Sequence, residues 1–254
     1  MLSELLQLDI YRFFLVFARI GAAMMMLPGI GGQLVSTRIR LLLALAIAAL
    51  MVPALAPLLP PTPSSPAGVL RVLAGEVLIG LFLGSVTTFL MSIINVTGAI
   101  IGFMTGLTNA FSFDPIAEQQ SSLLTGFLAN IAMLAVFSTD LHHLMFRAVI
   151  ESYTLFQAGA PPPLGDFAET LSHLLTTAFR FGLQFSAPLL VFGLVFYTGL
   201  GLLSRLVPQI QVFFVAMPVQ LLIGLAMLMA ALGTMISLFL REFENTLIPF
   251  LPPG

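Results

Sequence analysis

Apolar residues in this chain come in long runs, and the breaks between runs carry most of its prolines and charges. The first run covers residues 10–27, is interrupted by Arg19, and stops at Leu27-Pro28-Gly29-Ile30-Gly31-Gly32, which reads as a helix end followed by a flexible corner. Glu4 and Asp9 precede it without a basic cluster or a small-residue cleavage site, so the first helix is read as retained and not as a signal peptide. The short basic collar Thr37-Arg38-Ile39-Arg40 introduces a second run, residues 41–59, close to the roughly 20 residues that cross a bilayer core. Pro53 and Pro57 are expected to bend its end. Residues 60–68 (P-P-T-P-S-S-P-A-G) read as an extended linker, because four prolines oppose a helix.

Residues 69–105 then run almost without a break, longer than one crossing needs. Arg71 and Glu76 stand near the start of this run, five positions apart, a spacing that serves a mutual helix pair badly. Glu76, among Gly75, Gly80 and Gly84, is therefore expected to reach a neighbouring element. A further apolar run covers 123–137, and residues 138–169 form the most polar region, broken by Pro161-Pro162-Pro163. Residues 171–203 and 207–240 predict a final pair of long helices joined around Ser204-Arg205, each kinked by a proline, Pro188 and Pro218. The whole pattern predicts an all-α protein of long kinked helices and helical hairpins, embedded in a membrane, in a complex, or in both. Hydropathy alone suggests about six spans. That number does not convert into a topology, since the runs are uneven and arginines are scattered over many loops.

The stretch 98–122 departs from the rest. Gly98, Gly102 and Gly106 recur every fourth residue and, on a helix, would line one stripe open to close backbone approach. Asn109, Ser112, Asp114 and Pro115 are turn formers, and Asp-Pro drives Asp114 out of the α region. Phe111 and Phe113 sit inside this polar turn. Two readings follow from the residues: a surface turn anchored by its aromatics, or a loop whose phenylalanines seal a cavity or pore.

Composition narrows the class. The chain is 59% hydrophobic and 8% charged, against about 25% charged in average globular domains, so most of its surface must face lipid or other subunits. A net charge of -2, with all nine basic residues arginine, argues against nucleic acid. The absence of cysteine excludes disulfides and thiolate chemistry. Asp140-Leu141-His142-His143 resembles a metal cluster, but adjacent histidines on a helix diverge by about 100° and no H-E-x-x-H follows. It is read as a solvated helix end, and no metal, cofactor or catalytic set is assigned. Among ionisable residues within apolar runs, Glu76 is the one acidic candidate for ion coupling, while Arg19, Arg180 and Arg205 are expected to pair with partners or cap carbonyls.

The segment Leu203-Ser204-Arg205-Leu206-Val207-Pro208-Gln209-Ile210-Gln211-Val212-Phe213, followed by Met217-Pro218 and Gly224, resembles the FliR family of flagellar export-gate proteins and its virulence counterparts in type III secretion. The glycine run ending in Phe113-Asp114-Pro115, and Arg19 followed by Pro28 and Gly29, are similar to further blocks of the same family. The resemblance covers essentially the whole chain. It implies a non-enzymatic, channel-forming subunit at the flagellar basal body in the bacterial inner membrane, assembled with FliP-like and FliQ-like subunits and an FlhB-like one, and passing unfolded export substrates. Residues 1–170 would be the FliP-like part and 171–254 a FliQ-like hairpin. The family's plug loop falls on about residues 106–122, with Phe111, Phe113, Asp114 and Pro115 as plug candidates. Gly98, Gly102 and Gly106 are then helix-packing positions, and Arg205, Pro208, Gln209, Phe213, Pro218 and Gly224 an assembly hinge. The alternative is a multi-pass secondary transporter of a small solute.

Overall fold

A computed structural model describes residues 2–32, 35–106, 123–207 and 212–251, with the backbone alone for residues 2–9, 213 and 214. Among these residues all regular elements are helical: α1 (Leu2–Met26), α2 (Thr37–Leu55), α3 (Pro66–Met104), α4 (Leu123–Ser138), α5 (Leu141–Leu155), α6 (Leu164–Leu206) and α7 (Val212–Leu247), with short 3-10 turns at Ala56–Leu58 and Ile248–Phe250. The all-α expectation is met. Four helices, α2, α3, α6 and α7, are long and apolar enough to cross a membrane, and α4 with α5, bent by 73° at their junction, would make a fifth span. Among the described residues, the hydropathy count of about six is thus corrected to four or five.

Element ends follow local chemistry. Ser36 caps α2, its Oγ accepting from the Ile39 N–H at 3.4 Å. Arg40 of the basic collar turns back and donates to the carbonyls of Gly32 (2.7 Å) and Val35 (3.1 Å), satisfying groups in the corner before the helix. The proline-rich linker is shorter than its composition suggests. Ser65 Oγ accepts from the Gly68 N–H at 3.2 Å, so α3 starts at Pro66, where the missing N–H costs nothing. Pro53, Pro188 and Pro218 all lie inside helices.

The chain divides into two units: Met1–Leu90 with Val136–Leu174 and Glu242–Gly254, and Met91–Ala135 with Leu175–Arg241. In the first, a core of α1, α3 and α5 residues such as Leu15, Ile20, Met24, Ile79 and Tyr153 is almost fully buried. Phe82 stacks on Phe167 (ring centroids 3.8 Å apart) and meets Phe156 and Phe250 edge-on at 6.1 Å each. In the second unit, Ile93, Ile94, Ile101, Leu128, Ala132 and Leu189 are buried. Large apolar side chains along α6 and α7, among them Val195, Leu206, Leu222 and Met229, are exposed.

Candidate functional site

Within the first unit the dominant polar feature is Arg19. Its side chain is fully buried, and each of its three nitrogens has a partner: Nε donates to Glu76 Oε2 at 2.7 Å, Nη1 to Ser152 Oγ at 3.1 Å, and Nη2 to the Phe156 carbonyl at 3.0 Å. The guanidinium lies 3.8 Å over the Tyr153 ring, a cation–π arrangement strengthened by exclusion of water. Glu76 Oε1 in turn accepts from the Gly159 N–H at 3.3 Å. A charge in this setting is tolerated only when it is paired and hydrogen-bonded. One residue thereby ties α1 to α3, to α5 and to the turn that follows α5. Glu76 does reach a neighbouring element, as its surroundings in the sequence suggested, and its partner is Arg19, not Arg71.

The backbones come close enough for this because α3 presents glycine to α1. A Cβ at Gly80 would fall on the Arg19 carbonyl oxygen, and one at Gly84 would stand 2.7 Å from Met26 Cβ and 2.8 Å from the Ala23 carbonyl oxygen. Glycine is required at both positions by contact, since real Cβ atoms do not approach so near.

The second unit is built on the same device with little charge. A Cβ at Gly98 would lie 2.7 Å from Thr125 Cα in α4, one at Gly182 2.8 Å from Val96 Cβ, and one at Gly224 2.6 Å from Thr105 Cγ2. A polar tie in this unit is Gln220, buried on α7, whose Nε2 donates to the Met104 carbonyl at 2.7 Å and to Tyr197 Oη at 3.0 Å. Met104 is the last residue of α3, so its carbonyl has no partner within the helix. Gln220 supplies that partner.

Of the residues singled out by sequence, Gly98 packs as described, Gly102 is buried in α3, and Gly106 lies beyond the helix end at φ 76°. The stripe is accordingly shorter than its spacing suggests, and Gly106 is explained by a left-handed turn instead of a helix face. Gly224 makes the close approach to Thr105, just past the end of α3, Pro218 is exposed near the start of α7, and Arg205 is exposed in the last turn of α6. Phe111, Phe113, Asp114, Pro115, Pro208 and Gln209 lie outside the described residues, as does the side chain of Phe213. His142 and His143, expected to diverge as adjacent helical residues, instead lie with Asp140 so that the ligand atoms of all three are within 4.8 Å of one another. Sequence reasoning missed Gln220 altogether. Its signal was the one side-chain amide within the apolar residues 212–240.

Comparison with known proteins covers nearly the full length of the chain. Residues 10–246 match the family described as bacterial export proteins, family 1. The chain is 37% identical over 239 residues to the flagellar biosynthetic protein FliR of Caulobacter vibrioides, covering 94% of this chain and 95% of that one. It is 28% identical over 175 residues to FliR of Bacillus subtilis, covering 68% of each. It is also similar to the Yop proteins translocation protein T of Yersinia pestis, with 27% identity over 266 residues and 99% of both chains covered. The chain belongs to bacterial export proteins, family 1, the family of the flagellar biosynthetic proteins FliR.

Proposed function

We propose that this chain is a channel-forming subunit of the flagellar type III export gate. Family membership supports a component of a type III export apparatus, and the similarity to FliR along 94% of the chain carries the reading. The physical observation beside it is the exposure of the apolar helices α6 and α7. The most apolar windows of α6 and α7 are only 22% and 17% buried within the chain, which leaves surface for lipid and partner subunits to cover. FliP-like, FliQ-like and FlhB-like subunits are the partners that this reading supplies, in the bacterial inner membrane. Residues 1–170 would take a FliP-like place and 171–254 a FliQ-like one. The transporter alternative loses its coupling group, because both carboxylate oxygens of Glu76 are engaged, by Arg19 and by the Gly159 N–H.

In this reading the segment of about residues 106–122 closes the idle pore with Phe111 and Phe113. Contacts of phenyl rings are dispersive and non-directional, so an arriving unfolded chain could displace them without breaking specific bonds. Changing both phenylalanines to Ala is expected to preserve the assembled complex and to make membranes conduct small ions when no cargo is engaged. An assembled, non-leaking double variant would reject the plug assignment. Loss of assembly, consistent with about 3–5 kcal/mol per lost packing anchor, would favour the anchoring role instead.

A further inference from the structure

The corner between α4 and α5 carries chemistry that the export function does not use. Asp140 stands there at φ 59°, the one non-glycine residue with positive φ among the described residues. Aspartate tolerates this conformation better than most residues, yet glycine would adopt it with less strain. Asp140 also occupies the N-cap position of α5 without capping it, for its carboxylate makes no bond to the helix N–H groups. The carboxylate faces His143 instead, Oδ1 lying 3.6 Å from Nδ1. That separation is too long for a hydrogen bond. It is close to the roughly 3.4 Å between two donors that share a tetrahedral ion at about 2.1 Å.

A third donor lies alongside. The His142 ring is stacked on Phe137, with centroids 4.8 Å apart, and sits 4.1 Å from the His143 ring. Its Nδ1 is buried with no hydrogen-bond partner among the described residues. Divergence of adjacent histidines holds for side chains in equivalent rotamers on a regular helix. Both residues lie in the first turn of α5, and their side chains nevertheless bring the two rings together.

We propose that Asp140, His142 and His143 form a surface site for a divalent transition-metal ion of the zinc class. Two imidazoles and one carboxylate are borderline N/O donors, which select such ions over magnesium or calcium. Three protein ligands leave at least one position open to water or to a group from a partner. The positive end of α5 opposes a bound cation, and Arg147, one turn further on, has its own partner in Glu151 at 3.9 Å. The Asp140 carboxylate must offset that field, so binding should be most sensitive at this residue.

The test uses the full chain, purified without a polyhistidine tag and titrated with Co2+ and then Zn2+. One equivalent of Co2+ should give a saturable visible absorption that Zn2+ abolishes. His143→Gln, at a side chain 74% exposed and therefore harmless to folding, should weaken binding about tenfold or more, and so should His142→Ala. Asp140→Gly should abolish binding while holding or raising the thermal midpoint, because glycine relieves the left-handed backbone. That opposition separates lost ligation from lost structure. His173→Ala should leave the titration unchanged. Absence of saturable binding, or binding that persists in both Asp140→Gly and His143→Gln, would overturn the proposal.

Discussion

The two units of the chain solve the same problem, close packing of long apolar helices, by different means. The first unit concentrates its specificity in one buried ion pair. Arg19 and Glu76 have defined partners in α1, α3, α5 and the following turn, and a shift of any of these elements would strand a charge away from water. The second unit relies on fit. Gly98, Gly182 and Gly224 let backbones and side chains approach, while Gln220 adds a single uncharged tie at the end of α3. A charge network penalises misplacement steeply, whereas glycine contacts and dispersion yield by degrees. The first arrangement suits a part that must hold one geometry. The second suits a part whose large exposed apolar area has to adapt to whatever covers it.

The largest effect should come from breaking the charge pair. Arg19→Leu leaves Glu76 buried and unpaired and should cost about 3–5 kcal/mol, seen as loss of folded, monodisperse protein. Arg19→Leu with Glu76→Leu should recover much of that yield, since the residual charge is gone. Equal losses in the single and double variants would show that the pair is not what fixes this unit.

In the second unit the expected effect is smaller. Gly98→Leu forces a side chain against Thr125 of α4 and should cost about 1–3 kcal/mol by overpacking, measured as a lower thermal midpoint. Gly233→Leu is the control, because a Cβ there meets nothing within 4 Å. Matching shifts at the two positions would remove the distinction between contact glycines and open ones.

Much of this contrast could be read from the chain, and the shortfalls have physical causes. Six of the helices followed from the six apolar runs, because each run is long and bounded by prolines or charges, whereas α5 (Leu141–Leu155) lies in the stretch read only as the most polar region, with no apolar run to announce it. The start of α3 was misplaced by the prolines of the linker, since Ser65 capping lets Pro66 open the helix. Arg19 and Glu76 each stood out as ionisable groups in apolar surroundings, but their pairing spans 57 residues, and no local spacing rule reaches that far. The glycine stripe was legible only where the helix continues; at Gly106 the backbone turns left-handed and the period loses its meaning. The divergence expected of adjacent helical histidines took no account of side-chain rotamers, and His142 and His143, both in the first turn of α5, bring their rings within 4.1 Å.

The most direct test of the central claim is to recover the chain from its native membrane and identify what is bound to it. A tagged copy expressed at native level, extracted in mild detergent and analysed by mass spectrometry, should carry two other small hydrophobic membrane proteins in fixed proportion. Those proteins should be similar to FliP and FliQ and should stay with the chain through size-exclusion chromatography. A stable monomer or symmetric dimer, free of any such proteins, would contradict the account.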